Sequence, residues 1–410
     1  MRIAFVSDIE PRHMGHGGAV YPHFLAKALA RHGIVLDWIL PDGLQSGGIP
    51  IRRHVKGKIA GWWRIGALSI SPLPYDWIRF LYRLIRKPFR APRPTQSVSN
   101  ISSEMKLVST SSRFNRSLRN RLRRTLMRFP SNVIVLNQPA LLRKVDKSDI
   151  PGKHIVVLTH DVLHQRAAVY KRRGWPTDFE PLSRKEETQL LARADVIVAV
   201  SSSDAEIFRA MLPDARVVVA FPPIVNVVVP RTRPRLRFGK LNCLFVGGGA
   251  QHNRETLAAI LKVWPAVLAA VPSASLEVVG GAGTLLGLDQ IPEGVTICGR
   301  LNDIGEAYAK ANLVLAFVTD GSGVKMKLLE AVAYRVPTIA SVEALRGLPG
   351  PANEVFPIIE PLSMLPAFLR EYATSPDRLD QLELKQATWA REYLDPDQLI
   401  RELRETFCHA

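Results

Sequence analysis

The chain opens on Ile3-Ala-Phe-Val6, an apolar run of strand length closed by the polar pair Ser7-Asp8. Gly18–Arg31 then carries Val20, Phe24, Leu25, Ala28 and Leu29 at helical spacing, and Ile34–Leu40 returns to an apolar run ended by Pro41-Asp42-Gly43. The alternation recurs farther on. Apolar runs rich in β-branched residues at Val133–Leu136, Ile155–Leu158 and Val196–Val200 predict strands, the last preceded by a helix over Pro181–Arg193. Pro222-Pro223 breaks the pattern, and the basic, Pro-containing stretch from Arg231 to Gly239 reads as a linker. A second series follows, with strands at Leu241–Val246, Ser275–Val279, Val295–Cys298, Leu313–Phe317 and Thr338–Ala340. Helices are expected between them at Arg254–Ala270, Ile304–Ala309 and Val324–Tyr334, and most of Pro366–Phe407 is helical by pattern.

Short apolar strands separated by helices imply parallel sheets covered on both faces. The expected architecture is therefore α/β, with two doubly wound, Rossmann-like domains in tandem. The boundaries predicted are residues 1–228, then 229–390, with 391–410 a terminal helix that crosses back toward the first domain. Ligands of such sheets sit beyond the carboxyl ends of the strands, so residues there are the first to inspect.

Composition adds exclusions. Of 410 residues, 47% are apolar and 22% charged, which rules out a chain disordered throughout. No run approaches the ~20 apolar residues of a spanning helix. The N-terminal apolar run is too short for a secretory signal, and a cytoplasmic location is expected. Cys243, Cys298 and Cys408 are too few and too scattered for a disulfide framework or a Cys-rich zinc module.

Charge changes the picture more. The net charge is +18, and residues 51–130 hold nineteen Lys and Arg against only Asp76 and Glu104. Nearly all of the imbalance therefore lies in one insertion of the first domain. Two stretches there are amphipathic. Trp77, Leu81, Leu84 and Ile85 repeat at helical spacing with Arg79, Arg83, Arg86 and Lys87 on another face. Phe114, Leu118, Leu122, Leu126 and Phe129 form a second stripe, flanked by Arg116, Arg119, Arg123 and Arg124. Basic helices with aromatic and leucine faces suit an anionic membrane surface better than nucleic acid, which is not expected as a partner. The alternative, equally open at this level, is that both stripes pack on the domain core and the arginines are a solvated face.

The strongest candidate chemistry lies at Thr319-Asp-Gly-Ser-Gly-Val-Lys-Met-Lys-Leu-Leu-Glu-Ala. A strand ends, Gly321-Ser322-Gly323 turns, and a helix begins at Val324. Two glycines permit close backbone approach, and unpaired amides at a helix start favour an anion such as a diphosphate. Lys325 in a first helical turn opposes the macrodipole unless an anion accompanies it. Glu330, on an otherwise apolar helix, can accept hydrogen bonds from a ribose diol.

The segment from Gly321 to Pro337 resembles the signature of retaining glycosyltransferases of family four, which have the GT-B fold. Other pieces are similar to that family and in its order: Gly17-Gly18, Thr159-His160-Asp161, Ala194–Ser202, Leu244–Gly249 with His252-Asn253, and Cys298-Gly-Arg-Leu-Asn-Asp. The resemblance implies two domains facing each other across a cleft and transfer of a sugar from a nucleotide-diphosphate donor with retention of configuration. It implies that Glu330 binds the ribose, that Lys325 with the Gly321–Gly323 amides holds the diphosphate, and that His160 faces the donor sugar. Arg254 and Arg300 are further candidates for phosphate or loop contacts, and Gly17 and Gly18 for a phosphate or acceptor loop. Eight positions before Glu330, where the family carries a second glutamate, this chain has Ser322. That departure touches the sugar contact rather than the fold.

The expected co-substrate is thus a nucleotide-diphosphate sugar, with no other cofactor and no metal, and the expected acceptor is a glycan or lipid-linked molecule of the cell envelope. Two rivals remain at this level: a non-catalytic GT-B scaffold and a nucleic-acid-binding protein driven by the basic segment. Several tempting patterns are discounted. His160 and His164 have the spacing of a zinc helix, but they follow a strand and lack its glutamate. Gly247-Gly248-Gly249 lacks the third spaced glycine and the acidic residue of a dinucleotide fingerprint. No nucleophile elbow or P-loop occurs.

Overall fold

The computed structural model describes residues 2–8, 17–40, 51–53, 58–59, 63–65, 68–70, 116–177, 179–224, 241–284, 286, 291–301, 303–320, 323–394, 397, 400–401 and 405. The first half begins with β1 (Arg2–Val6), α1 (Gly17–Arg31) and β2 (Val35–Leu40), followed by four short strands, β3 (Ile51–Arg53), β4 (Lys58–Ile59), β5 (Trp63–Ile65) and β6 (Leu68–Ile70). Then come α2 (Arg116–Met127), β7 (Val133–Asn137), β8 (His154–Leu158), α3 (Leu163–Arg173), α4 (Arg184–Leu191), β9 (Val196–Ala199), α5 (Ser202–Met211) and β10 (Arg216–Val219). Seven of these strands form one parallel sheet in the order β10-β9-β8-β7-β1-β2-β4, while β3, β6 and β5 make a small antiparallel sheet.

The second half comprises β11 (Asn242–Val246), α6 (Gln251–Ala270), β12 (Ser275–Val279), β13 (Val295–Gly299), α7 (Gly305–Lys310), β14 (Leu313–Ala316), α8 (Met326–Ala333) and β15 (Thr338–Ala340). Four helices complete it: α9 (Val342–Leu345), α10 (Ala352–Val355), α11 (Leu365–Ala373) and α12 (Pro376–Tyr393). Its sheet is parallel, ordered β13-β12-β11-β14-β15. Both domains are doubly wound. The second sheet grows outward in both directions from β11, so a crevice forms where β11 and β14 diverge.

Strand alternation divides each core in two. Ala4, Val6, Ile134, Leu136, Ile155 and Val157 face one side of the first sheet, under Leu122, Leu126, Leu191 and Phe208. Ile3, Phe5, Val133, Val135, Val156 and Leu158 face the other, under Tyr21, Leu25 and Leu29 of α1, and Ile400 from the end of the chain joins them. In the second domain, Cys243, Phe245, Leu276, Val278 and Leu315 pack under Leu257, Ile260 and Trp264 of α6.

Of the two readings open for the second amphipathic stripe, the structure takes the packed one for Leu122 and Leu126 of α2: they are 1% and 0% exposed in the core of the first domain, and Phe129 packs beside them. Burying that stripe satisfies the hydrophobic driving force within the fold, which leaves only the arginine side of α2 for any partner. Arg119 and Arg123 reach Asp149 and its carbonyl, and Arg124 is exposed. Arg116 starts this helix. Arg79, Arg83, Arg86 and Lys87, with the helix expected around them, lie outside the described residues. The basic insertion also contributes strands, one of which, β4, extends the main sheet.

Helix starts moved as well. The α4 helix begins at Arg184 because Ser183 and Glu186 form a reciprocal capping box that stops it three residues short of the expected Pro181. The α8 helix begins at Met326, so Lys325 occupies the N-cap with extended backbone rather than the first turn.

Candidate functional site

The first half of the site is built at three adjacent strand ends. Val6 of β1 pairs with Leu136 of β7, and Asn137 of β7 pairs with Leu158 of β8, so Ser7, Asn137 and His160 emerge side by side. Thr159 donates from its main-chain N and its Oγ1 to Val198 O, at 2.9 and 3.0 Å, and this anchors the residue before His160. His160 Nε2 lies 2.7 Å from Asn137 Oδ1, and the imidazole stands edge-on to the buried Tyr21 ring, 5.6 Å away at 81°. Next to it, Asp161 accepts from Arg166 Nη1 at 2.9 Å. Gly17 and Gly18 are the first residues of α1, so they contribute amides of a helix start rather than of a preceding loop.

The second half descends from β14. Lys325 Nζ donates to Gly323 O at 2.7 Å. Burial lowers the Lys325 pKa, opposed by the carboxylates of Glu343, Asp161 and Asp204. Gly323 has φ +68° and presses on the first domain; a β-carbon there would stand 2.4 Å from His160 O and 2.9 Å from Asp161 Oδ1. Val324 and Met326 pack against apolar clusters of both domains. Gly321 and Ser322 lie outside the described residues.

In the first turn of α8, Lys327 reaches Asn253 Oδ1 at 3.1 Å and Phe317 O at 3.3 Å, with its ammonium 4.4 Å from the centre of the Phe245 ring. Glu330 is 7% exposed and accepts from Tyr308 Oη at 3.1 Å. Tyr308 in turn stacks on Tyr334, centroids 4.7 Å apart. Burial pushes Glu330 toward its neutral acid and Lys327 toward its neutral amine. His252, at the start of α6, is held down to about 3 by burial and by Lys327, Arg166 and Lys325, and it shares a 3.2 Å hydrogen bond with Tyr170 Oη across the domains.

Two glycine turns floor this region. A β-carbon on Gly280 would lie 2.2 Å from Gly247 O and one on Gly281 would lie 2.8 Å from Gly249 N, so only glycine allows the loops after β11 and β12 to meet backbone to backbone. Arg254 lies in the first turn of α6, its Nη2 3.7 Å from where a Gly249 β-carbon would be, and its buried Nε has no hydrogen-bond partner among the described residues. A buried donor of that kind invites an anion. Arg300 behaves differently. It is exposed at the end of the edge strand β13, with β12 and β11 between that strand and β14.

The α3 helix closes one flank. Arg172 and Arg173 meet the Asp320 carboxylate, at 3.3 and 2.5 Å, joining the first domain to the residue that precedes Gly321 in the chain. His164 is occupied by the fully buried Glu187, Nδ1 to Oε2 2.7 Å. Among the described residues no three His, Cys, Asp or Glu side chains are grouped as metal ligands, and no helix is long and apolar enough to cross a membrane.

Of the residues that the sequence pattern marks, Gly323 seats Lys325 against His160, while Glu330 is buried against Tyr308 and Arg254 lies beside the Gly249 loop. The pattern missed Lys327, Asn137, Asn253 and Arg166. The second lysine of Lys325-Met-Lys327 was the visible signal for one; the others are polar residues whose neighbours come from distant segments.

Two doubly wound parallel-sheet domains in tandem, matched along the chain by solved two-domain glycosyltransferase structures, define the GT-B architecture. Residues 240–353 match the family described as glycosyl transferases group 1. The fold is similar to that of S. aureus TarM, solved as a mutant in complex with fondaparinux, alpha-GlcNAc-glycerol and UDP, at TM-score 0.66 and 9% identity over 99% of each chain. It is similar to sucrose-phosphate synthase from Thermosynechococcus elongatus, at TM-score 0.65 and 14% identity over the whole of both chains. Anabaena HepE in complex with UDP and glucose aligns at TM-score 0.58 and 14% identity, again over 100% of each. No curated protein sequence matches significantly.

Proposed function

We propose that this chain is a glycosyltransferase that moves a hexose-type sugar from a nucleotide-diphosphate donor to a cell-envelope glycan or lipid-linked acceptor, with retention of configuration. The observation that carries this reading is the start of α8, where Lys325 holds Gly323 O, Lys327 holds Asn253 Oδ1 and Phe317 O, and Glu330 lies buried against Tyr308 one turn on. In the reaction the bond between the anomeric carbon and the diphosphate oxygen breaks while an acceptor hydroxyl adds to the same face and passes its proton to the departing diphosphate oxygen. The departing diphosphate gains charge in the transition state. Preorganised cations and the amides around Gly323 stabilise it there more than in the ground state. Glu330, once ionised, accepts from the ribose diol, and His160 lines the sugar side. This division of labour asks for no metal ion.

A uridine nucleotide as donor agrees with TarM and HepE, both solved with UDP. The basic surface of the first domain, including Arg124, is proposed to hold the enzyme on the anionic cytoplasmic face of a membrane, where lipid-linked acceptors reside. A thermal-shift panel of UDP-, GDP-, ADP- and dTDP-sugars tests the donor class, since ligand binding raises apparent stability by mass action. Stabilisation by one class, lost in Glu330→Ala and Lys325→Ala, is the expected result; no stabilisation by any would sink the reading. The scaffold alternative, favoured by Ser322 in place of a glutamate, predicts nucleotide binding without turnover of the sugar.

A further inference from the structure

Three strand ends converge on one imidazole. Ser7, Asn137 and His160 follow neighbouring strands β1, β7 and β8, and all three lie at the carboxyl edge where the cleft opens. Asn137 is 2% exposed and Ser7 fully buried, so neither side chain meets bulk water. Asn137 Nδ2 donates to Ser7 Oγ at 3.0 Å, and its Oδ1 lies 2.7 Å from His160 Nε2. An amide oxygen has no proton to give, so in this orientation Nε2 must be the protonated ring nitrogen. Tyr21 fixes the ring plane from the other side through its edge-on contact at 81°, and the Tyr21 hydroxyl is itself tied to Ala220 O at 3.3 Å.

The backbone beside Asn137 is also unusual. Gln138, which is not glycine, has φ +135°, and Pro139 follows it. A strained residue is tolerated where surrounding contacts over-determine it, and this one directly follows Asn137, the residue that meets His160.

We propose that Asn137 is a positioning residue: with Ser7 as its anchor, it holds the neutral His160 ring in the tautomer protonated at Nε2, so that Nδ1 of that form faces its partners as an acceptor only. A sugar hydroxyl meeting Nδ1 then donates its own proton into the bond, which discriminates among donor sugars by the direction of a hydroxyl. This rests on the reading of His160 as the residue on the sugar side of the cleft; the tautomer itself does not depend on that reading. A merely structural Asn137 would tie the strand ends together and leave the ring's protonation pattern unchanged when replaced.

Long-range proton–nitrogen correlation spectra of the full-length, histidine-labelled protein read the tautomer directly, with His160→Gln assigning the signals. The wild type is expected to show Nε2 protonated and Nδ1 unprotonated. Asn137→Leu, of similar size but without an acceptor, and Ser7→Ala, which frees the amide to turn over, are expected to give a mixture of tautomers. Asn137→Asp still offers an acceptor to Nε2 and should keep that nitrogen protonated, while its negative charge favours a second proton at Nδ1. Where a nucleotide sugar is turned over, Asn137→Leu should lower kcat severalfold with little change in donor KM, the split expected of a residue that acts on the reaction only through the imidazole it orients. A wild-type ring protonated at Nδ1, or a pattern unmoved in folded Asn137→Leu, would overturn the proposal. Should the tautomer behave as expected in a protein that turns over no nucleotide sugar, the enzymatic reading fails and the positioning relay stands.

Discussion

Gly323 and His160 touch across the two domains: the glycine leaves no room for a side chain above the histidine's main-chain oxygen, and its positive φ is one that only glycine adopts without strain. The turn that leads into the Lys325 helix is therefore seated on the strand end that presents His160.

Gly323→Ala should separate them. A methyl 2.4 Å from a backbone oxygen has no flexible neighbour to displace, so the turn must withdraw or the domains must part. The backbone strain alone costs about 1–3 kcal/mol. Expected outcomes are a lower melting temperature and a larger radius of gyration by solution scattering. An unchanged radius with unchanged melting would show that the contact does not hold the closed arrangement.

Glu330 supplies a pH dependence. Its pKa is pushed up to about 7 by burial from an ordinary 4.5. A raised carboxyl contributes stability that is fully present below 4.5 and lost as pH rises through about 7. Without nucleotide, Glu330→Gln should gain stability over the wild type across that window. Binding of UDP should move oppositely, weakening as pH falls through about 7 because the protonated acid accepts poorly from a ribose diol. Losing a charged hydrogen bond is worth about 1.5–3 kcal/mol, so Glu330→Gln should weaken UDP by about 10- to 100-fold at pH 8 and flatten its pH profile. Calorimetric titration from pH 5.5 to 8.5 checks both.

The end of the chain carries a simpler test. Ile400 is 2% exposed in the cluster that holds Ile3, Phe5 and Leu25, and Asp397 pairs with His32 at 2.9 Å. Ile400→Ala should cost about 2–4 kcal/mol, measured by denaturant unfolding, because it opens a cavity under the first sheet. A loss under 0.5 kcal/mol would mean that the terminal segment does not pack there.

On α2 two substitutions should behave oppositely. Leu126, fully buried, should destabilise the first domain by about 2–5 kcal/mol when cut to alanine. Arg124→Glu, on the exposed side, should leave melting unchanged and weaken sedimentation with anionic vesicles, since each basic residue near such a surface is worth about 1 kcal/mol. Vesicle binding that ignores Arg124→Glu would remove α2 from the docking surface.

Strand and helix positions were largely legible because apolar residues repeat at periods of 2 or 3.6 wherever one face is buried. Boundaries were less so. The start of α4 depends on whether Ser183 and Glu186 find each other, and that of α8 on the turn before it. The stripe on α2 reads identically whether lipid or the protein's own sheet covers it, since periodicity reports that a face is apolar and never against what it lies.

Lys325, Glu330 and His160 stood out in the sequence through their spacing after predicted strands, a local property. Lys327 over Phe245, Asn137 beside His160, and Tyr170 against His252 were invisible there, since each pair joins segments far apart in the chain. Local pattern determined two sheets and a helix start able to receive an anion. Only tertiary packing decided which cations share one desolvated point and how the imidazole is held. Burial and charge proximity are properties of neighbours in space, which the order of residues does not encode directly.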